Sequence, residues 1–377
     1  MSQLDLRPPV WVDGSQSLQE LAVTLGRQYR IAVDTESNSL HAYRERVCLL
    51  QFSTEEADFL VDTLALHDLS PLVPIFESPN IEKVFHAVEY DIICLHRDFG
   101  IICHNIFDTM VAARTLGYPA VGLGSLLTEK FRVQVNKRFQ KGDWGLRPLP
   151  AEMLEYARLD THYLIPLRDQ LAIELIGKKL TPYAAEDFNR LSRVIFNSHR
   201  SHRSAWERIS GSQELSPAQL AVLDQLCQWR ERTSEKLDRP PFKVLGDDKL
   251  LALAQASPTD RPSLAVVGLT ERQLERFGSS LLQAIRDGLQ AEPIQPRNNH
   301  RRRPPESVLR RLDRIRAWRK QTAAGMGVDS DIVLPRAHMV AIAEQGPQTL
   351  DALKTLMDDL PWRYRHFGEE ILRLLKA

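Results

Sequence analysis

Four carboxylates and one phenol fall in three separated patches of this chain: Asp34-Thr35-Glu36, Asp91 at the end of His86-Ala-Val-Glu-Tyr-Asp, and Tyr156-Ala-Arg-Leu-Asp160. Carboxylate oxygens are what hard divalent cations prefer. Mg²⁺ and Mn²⁺ are held by a few acidic side chains, water and a substrate phosphate. Two such ions roughly 3.5–4 Å apart can supply a deprotonated water, an in-line attack and a stabilised leaving alkoxide, which is what phosphodiester hydrolysis requires. Four clustered carboxylates otherwise repel one another, and cations make the cluster tolerable. A tyrosine phenol, with an ordinary pKa of about 10, is a poor base at neutral pH but a good hydrogen-bond partner for an attacking water, so its task here is orientation. The pattern points to a two-metal nuclease with catalytic residues Asp34, Glu36, Asp91, Tyr156 and Asp160, the four acids being the ligands.

The flanking segments must bring these groups together. Arg30-Ile31-Ala32-Val33 reads as a buried strand, and alternation along it puts Asp34 and Glu36 on one face and Thr35 on the other. Lys83-Val84-Phe85-His86 is a second short strand, after which Asp91 opens a helix through Ile92, Ile93 and Leu95, where a carboxylate suits the N-terminus. Pro150 signals a helix start, and Tyr156 and Asp160, four apart, share a face of that helix. Each patch alone is weak. Asp-x-Glu in a charge-rich chain is more often a solvated turn, and the Tyr156/Asp160 pair could be a core residue and an ion partner of Arg158 or Arg168. Their conjunction carries the reading. Asp108 differs, because it follows Ile106-Phe107 and fits the cap of a helix over 109–116.

In this order and spacing the patches resemble the three exonuclease motifs of the DEDD superfamily. Tyr156 stands four residues before Asp160 as the tyrosine branch requires, whereas Glu155 occupies the place where the histidine branch carries His. Arg46-Val-Cys-Leu-Leu-Gln51, Phe107-Asp108-Thr109, Gly122-Leu-Gly-Ser-Leu-Leu127 and Asp143-Trp144-Gly-Leu-Arg147-Pro148-Leu149 extend the likeness over most of residues 15–170, and the chain as a whole resembles the ribonuclease D family. The resemblance implies a ribonuclease-H-like sheet and 3′→5′ hydrolysis releasing nucleoside 5′-monophosphates. It also implies two ions, one held by Asp34, Glu36 and Asp160, with Asp34 bridging to a second supported by Asp91. RNA with a free 3′ end is the implied partner, transfer RNA precursors above all. His41, Tyr43, Lys141 and Arg147 are candidate substrate contacts. Arg147 could equally be an ion pair that orients a carboxylate. A DNA exonuclease is the alternative, and a non-catalytic RNA-binding scaffold a further one, although the latter should lack a metal ligand and all four acids are present.

The surrounding pattern predicts an α/β exonuclease domain followed by two all-α bundles. Strands near 30–35, 47–53 and 57–62, a helix near 69–77, a strand near 82–86 and helices to 116 suggest an antiparallel meander extended by parallel pairs into a mixed sheet with helices on its faces. The segment 123–212 is mostly helical. From 213 two similar halves follow. Ser216-Pro217 opens a helix with Leu220, Leu223, Leu226, Cys227 and Trp229 on one stripe, and Val308, Leu309, Leu312, Ile315 and Trp318 repeat the layout, with Arg230 and Arg319 after each tryptophan. Arg276-Phe277-Gly278 matches His366-Phe367-Gly368. This internal duplication resembles two helicase-and-RNase-D C-terminal (HRDC) domains. The division is exonuclease 1–212, first repeat 213–291, an extended Pro- and Arg-rich linker 292–306 and second repeat 307–377.

Residues 1–110 hold 17 acidic and 7 basic side chains, a balance of −10, so the rest of a chain of zero net charge carries +10. The sharpest basic run comprises Arg297, Arg301 to Arg303, Arg310, Arg311, Arg314, Arg316, Arg319 and Lys320, and suits a phosphate backbone as well as it suits a solvated helix face. Deleting 296–377 should therefore weaken RNA binding while sparing the chemical step. The absence of a signal-like N-terminus or a long apolar run predicts a cytoplasmic protein without membrane contact, acting as a monomer. Cys48, Cys94, Cys103 and Cys227 lack paired spacing and read as reduced, buried thiols; Cys94, His96, Cys103 and His104 fit no familiar zinc finger.

Overall fold

The computed structural model describes residues 7–194, 204–295 and 304–376, which form two compact units. Among the described residues, one unit takes 7–37, 47–194 and 304–376; the other takes 38–46 and 204–295.

The first unit is built on one mixed sheet of six strands. β1 (Val10–Val12) and α1 (Ser15–Gly26) precede β2 (Arg30–Ser37), β3 (Val47–Ser53) and β4 (Asp58–Asp62); α2 (Val73–Glu77), β5 (Glu82–Phe85), α3 (Glu89–Phe99), β6 (Ile106–Asp108) and α4 (Thr109–Thr115) follow. The strand order is β1-β4-β3-β2-β5-β6. The meander β2-β3-β4 is antiparallel and β5 joins β2 in parallel, as the sequence pattern predicts; β6, a three-residue strand that the pattern does not single out, joins β5 in parallel. β1, parallel to β4, is too short at three residues to show any periodicity. Asp108 accepts from the N–H groups of Met110 and Val111 and so caps α4. Alternation sorts the sheet into two faces: Ile31, Val33 and Phe85 pack in one core cluster, and Ala32 and Val84 in another. All four cysteines are buried.

Helices α5 (Leu123–Phe131), α6 (Ala151–His162), α7 (Leu164–Gly177) and α8 (Thr181–Leu191) complete the exonuclease portion. α6 lies against β2, β3 and β4. A polar network pins its C-terminal turn: Ser53 Oγ donates to Asp58 (2.6 Å) and meets Thr161 Oγ1 (2.7 Å), while His162 Nδ1 reaches Asp58 at 3.0 Å. Arg158, buried, donates to Glu155 (2.6 Å) and to the Arg7 carbonyl (2.8 Å). These bonds fix the register of the helix that carries Tyr156 and Asp160.

The two C-terminal repeats are both helical. The first comprises α9 (Pro217–Leu237), α10 (Pro241–Val244), α11 (Asp247–Ala256), α12 (Arg261–Val266) and α13 (Glu271–Gln290), and the second α14 (Glu306–Met326), α15 (Ser330–Val333), α16 (Arg336–Gln345), α17 (Leu350–Leu356) and α18 (Pro361–Lys376). The first repeat has a core of its own, in which α13 crosses α9 so closely that a Cβ on Gly288 would lie 2.5 Å from the Val222 Cα. The second repeat has no separate core. Its Ile315, Trp318, Phe367 and Ile371 join Ala113, Leu164, Leu171 and Tyr183 in one apolar cluster, and the second repeat and exonuclease helices form one body. The basic run divides accordingly. Arg311 donates to the Ala343 carbonyl and Arg319 to the Leu334 carbonyl, so these two brace the repeat from within, and Arg310 and Arg316 pair with Glu306 and Asp313 on the solvent face. Arg297 and Arg301 to Arg303 lie outside the described residues.

Candidate active site

Three of the five expected catalytic groups converge at once. Asp34 and Glu36 project from one face of β2 and Asp160 from α6, and each offers a carboxylate oxygen within 4.8 Å of the others. Asp91 stands beside them. From the start of α3 it accepts a hydrogen bond from the Thr35 hydroxyl, which β-alternation sends to the opposite face of β2 from Asp34. The expected group of four is thus three ligands plus one neighbour tied to the strand between them. Tyr156 donates to Asp160 one helical turn away, and its ring is wedged against Phe139 and Trp144, both at 6.1 Å between centroids. That packing sets where the phenol points.

The electrostatics are those of acids gathered away from water. Burial, followed by the neighbouring Asp91, Asp160 and Glu36, holds the Asp34 carboxyl well above its usual range, and burial with Asp160 and Asp91 does the same to Glu36. Burial pushes Asp91 up to about 7 against the opposing Thr35 bond, and Asp160 up to about 7 against the Tyr156 bond. Burial, then the nearby negative charges, drives the Tyr156 phenol far above its ordinary value, so it stays a hydrogen-bond donor at any physiological pH. A set of all-oxygen donors that repel until neutralised fits a hard divalent cation and fits no soft metal.

Asp34, Glu36 and Asp160 form the floor of a cleft of about 450 Å³, within the range of small-ligand sites. Its walls include residues to which the sequence reading gave no role: Thr35, His86, Gly122 to Ser125 at the start of α5, Val135 and Gln140. The signal for some was present, since Gly122 to Leu127 is one of the family-like segments and His86 opens the second motif. Beside Asp34 in the sheet register stands Gln51, fully buried.

The candidate substrate contacts fare differently. Arg147 is an internal strut: its guanidinium donates to both Asp62 oxygens (2.7 and 2.6 Å) and to the carbonyls of Cys48, Trp144 and Leu146. The five N–H donors of an arginine are spent there, with Asp62 as the paired carboxylate. Asp62 responds, its carboxyl lying below the usual range through the Arg147 bonds that outweigh its burial. Tyr43 donates its hydroxyl to Glu231 (2.6 Å) and receives Asp238 on its backbone N–H (3.0 Å), while Arg44 pairs with Glu235 at 2.9 Å, so the segment 38–46 is fastened within the second unit. In the same segment the His41 N–H closes a turn on the Asn38 carbonyl. Lys141 is exposed, next to Gln140 of the cleft wall.

Residues 9–176 match the family described as 3'-5' exonuclease, and residues 219–285 and 308–375 each match the HRDC domain. The exosome complex exonuclease RRP6 of Saccharomyces cerevisiae is 35% identical over 74% of this chain, which spans only 40% of that relative's length. The crystal structure of the catalytic core of RRP6 from Trypanosoma brucei superimposes with a TM-score of 0.68 at 30% identity, covering 77% of this chain and 82% of that one. Escherichia coli RNase D shares the fold over 99% of both chains, with a TM-score of 0.70 at 24% identity. With an acid-floored cleft in the matched exonuclease region and both HRDC matches falling on the helical repeats, the chain belongs to the DEDD 3′-5′ exonucleases of the ribonuclease D and Rrp6 type.

Proposed function

We propose that this chain is a metal-dependent 3′→5′ exoribonuclease that releases nucleoside 5′-monophosphates. The observation that carries the reading is the convergence of Asp34, Glu36 and Asp160 to within 4.8 Å on the floor of an open cleft, inside a chain of this family.

In this reading Asp34, Glu36 and Asp160 would hold a Mg²⁺ or Mn²⁺ ion, and Asp91 would help to hold a second. Bound cations supply a nucleophile at neutral pH and charge stabilisation at the phosphate. The chain's own residues do the rest. Thr35 restrains Asp91, so the fourth acid approaches without collapsing onto the other three. Tyr156, held by Phe139 and Trp144, keeps its proton and presents a donor that orients the attacking water against Asp160. The walls from Gly122 to Ser125 and Gln140 enclose the terminal nucleotide. Trimming of structured RNA, transfer RNA precursors among them, is the proposed task, carried out by a monomer in the cytoplasm. The buried cysteines suit a reducing compartment, and among the described residues no helix is long and apolar enough to cross a membrane. We retain 1–212, 213–291, 292–306 and 307–377 as the proposed division of the chain.

The test is turnover of a 5′-labelled RNA with an unpaired 3′ tail, with and without Mg²⁺ or Mn²⁺, beside Asp34→Asn. A metal-dependent ladder shortening from the 3′ end and absent in the variant is the expected result. Tight RNA binding without cleavage of RNA or matched DNA would sink the reading.

A further inference from the structure

His86 lies where a residue of the catalytic floor should lie, yet it is not an acid. His86 follows directly after β5, whose last pairing with β2 is Val84 opposite Ala32, two residues before Asp34. It lines the same cleft as Asp34, Glu36, Tyr156 and Asp160.

The hydrogen bonds around the imidazole decide what it can offer. Its Nδ1 is 2.9 Å from the Thr109 hydroxyl oxygen, and that hydroxyl donates its single proton to the Phe85 carbonyl at 3.0 Å. The oxygen therefore accepts from Nδ1–H, which fixes the tautomer and leaves Nε2 as a bare lone pair on the cleft side. The Asp108 carboxylate, which accepts from the N–H groups of Ala87, Val88, Met110 and Val111, pulls the other way and favours a charged ring. Burial outweighs that pull and lowers the imidazole's tendency to charge.

A neutral acceptor in an acid-floored cleft can greet only a donor. Phosphate oxygens are acceptors and are turned away, and cations have the carboxylates. The donors that every 3′-terminal ribonucleotide carries, whatever its base, are its ribose hydroxyls. Resting on the exonuclease reading above, we propose that His86 Nε2 accepts a hydrogen bond from the ribose hydroxyl edge of the 3′-terminal nucleotide and so reads the sugar. The 2′-hydroxyl is the group that distinguishes RNA from DNA at such a contact.

The experiment measures kcat/KM on one single-stranded RNA whose last nucleotide is ribo, 2′-deoxy or 3′-deoxy, for wild type, His86→Leu and His86→Gln. It also measures binding of adenosine 5′-monophosphate and its 2′-deoxy and 3′-deoxy forms, with Ca²⁺ present, to the same three proteins. Removing one hydrogen-bond partner changes such ratios by roughly 3- to 10-fold. The expected result is that wild type disfavours one deoxy end by that factor and His86→Leu loses it on the ribo end. His86→Leu should leave the end lacking that hydroxyl nearly unchanged, a non-additive cycle that identifies the contacted hydroxyl. His86→Gln, whose amide oxygen can accept, should recover part of the loss. Equal loss on all three ends would overturn the proposal and place His86 with the carboxylates or with folding. Wild type inactive on every end would sink the exonuclease reading alone, because the nucleotide-binding series still reads His86.

Discussion

The two HRDC repeats start from one sequence plan and end in different structural states. Inside, they agree closely: Trp229 meets Phe277 edge-on at 5.5 Å and 79°, Trp318 meets Phe367 at 5.3 Å and 78°, and Arg230 and Arg319 each donate to a carbonyl fifteen residues on. They part at the start of the last helix. In the first repeat Thr270 caps α13 and Gln273 returns the bond, so the helix closes its own N-terminus. The Arg276-Phe277-Gly278 to His366-Phe367-Gly368 correspondence puts Leu360 and Arg363 in those two places. There the open N–H groups of Trp362 and Arg363 are taken by Glu186 of α8, and the wholly buried Arg363 guanidinium bonds Glu186 (3.0 Å), Asp187 (2.9 Å) and the Ile332 carbonyl. Arg190 adds a 2.8 Å pair with Asp359, and a Cβ on Gly117 would strike the Gly327 carbonyl at 2.8 Å. One repeat is self-sufficient, whereas the other has exchanged its own cap for a partner in the exonuclease domain. A helix end left uncapped by its own residues thus marks a docking face.

The largest test of this difference is removal of the second repeat. Deleting 304–376 strips the cover from Leu164, Leu171 and Tyr183, and the remaining chain is expected to be insoluble or unfolded, read by circular dichroism and by loss of turnover on even the shortest RNA. This replaces the expectation that the chemical step survives without the repeat. Arg363→Ala comes next. Breaking a buried ion pair from one side costs about 3–5 kcal/mol, so the midpoint of urea unfolding of the catalytic unit should fall steeply. Thr270→Ala in the self-capped repeat should cost only about 1 kcal/mol and leave the catalytic unit's transition in place; equal losses for the two variants would break the comparison.

Two groups of buried acids sharpen it further. Glu186 has Arg363 as its resident cation, whereas among the described residues the charged groups that act on Asp34, Glu36 and Asp91 are other carboxylates. Because burial holds Asp91 and Asp160 near 7 in the fold, against 3.8 ordinarily, the metal-free fold binds more protons than the unfolded chain between those values. Stability from this cluster therefore falls as pH rises through that window and is level above it. Divalent ions displace the same protons, so the Mg²⁺ concentration at half-saturation should fall between pH 6 and 8, and the rise in melting temperature on adding Mg²⁺ should be larger at pH 8. A pH-independent Mg²⁺ midpoint would contradict the raised values. The smallest effect belongs to Tyr43→Phe, which removes one hydrogen bond at a solvated site and should cost under about 1 kcal/mol in the second unit, seen as faster hydrogen exchange across 38–46.

Sequence alone was enough to place the acids on their elements and to order the central strands. Carboxylates at i and i+2 on a strand and a phenol four residues before an acid on a helix are local rules, so Asp34, Glu36, Tyr156 and Asp160 were legible without neighbours, as were the meander, the cap at Asp108 and the duplicated tryptophan helices. What only the tertiary structure decided was which cations were already taken and which neutral groups shared the floor. Arg147 and Tyr43 look like free polar contacts in the sequence, but Asp62 and Glu231, 85 and 188 residues away, consume them. His86 became an acceptor only through Thr109, and Arg363 a buried cation only through Glu186 and Asp187. Periodicity reports which face a side chain occupies. The partner waiting on that face is supplied by distant chain, and burial turns that partner into the sign and strength of the interaction.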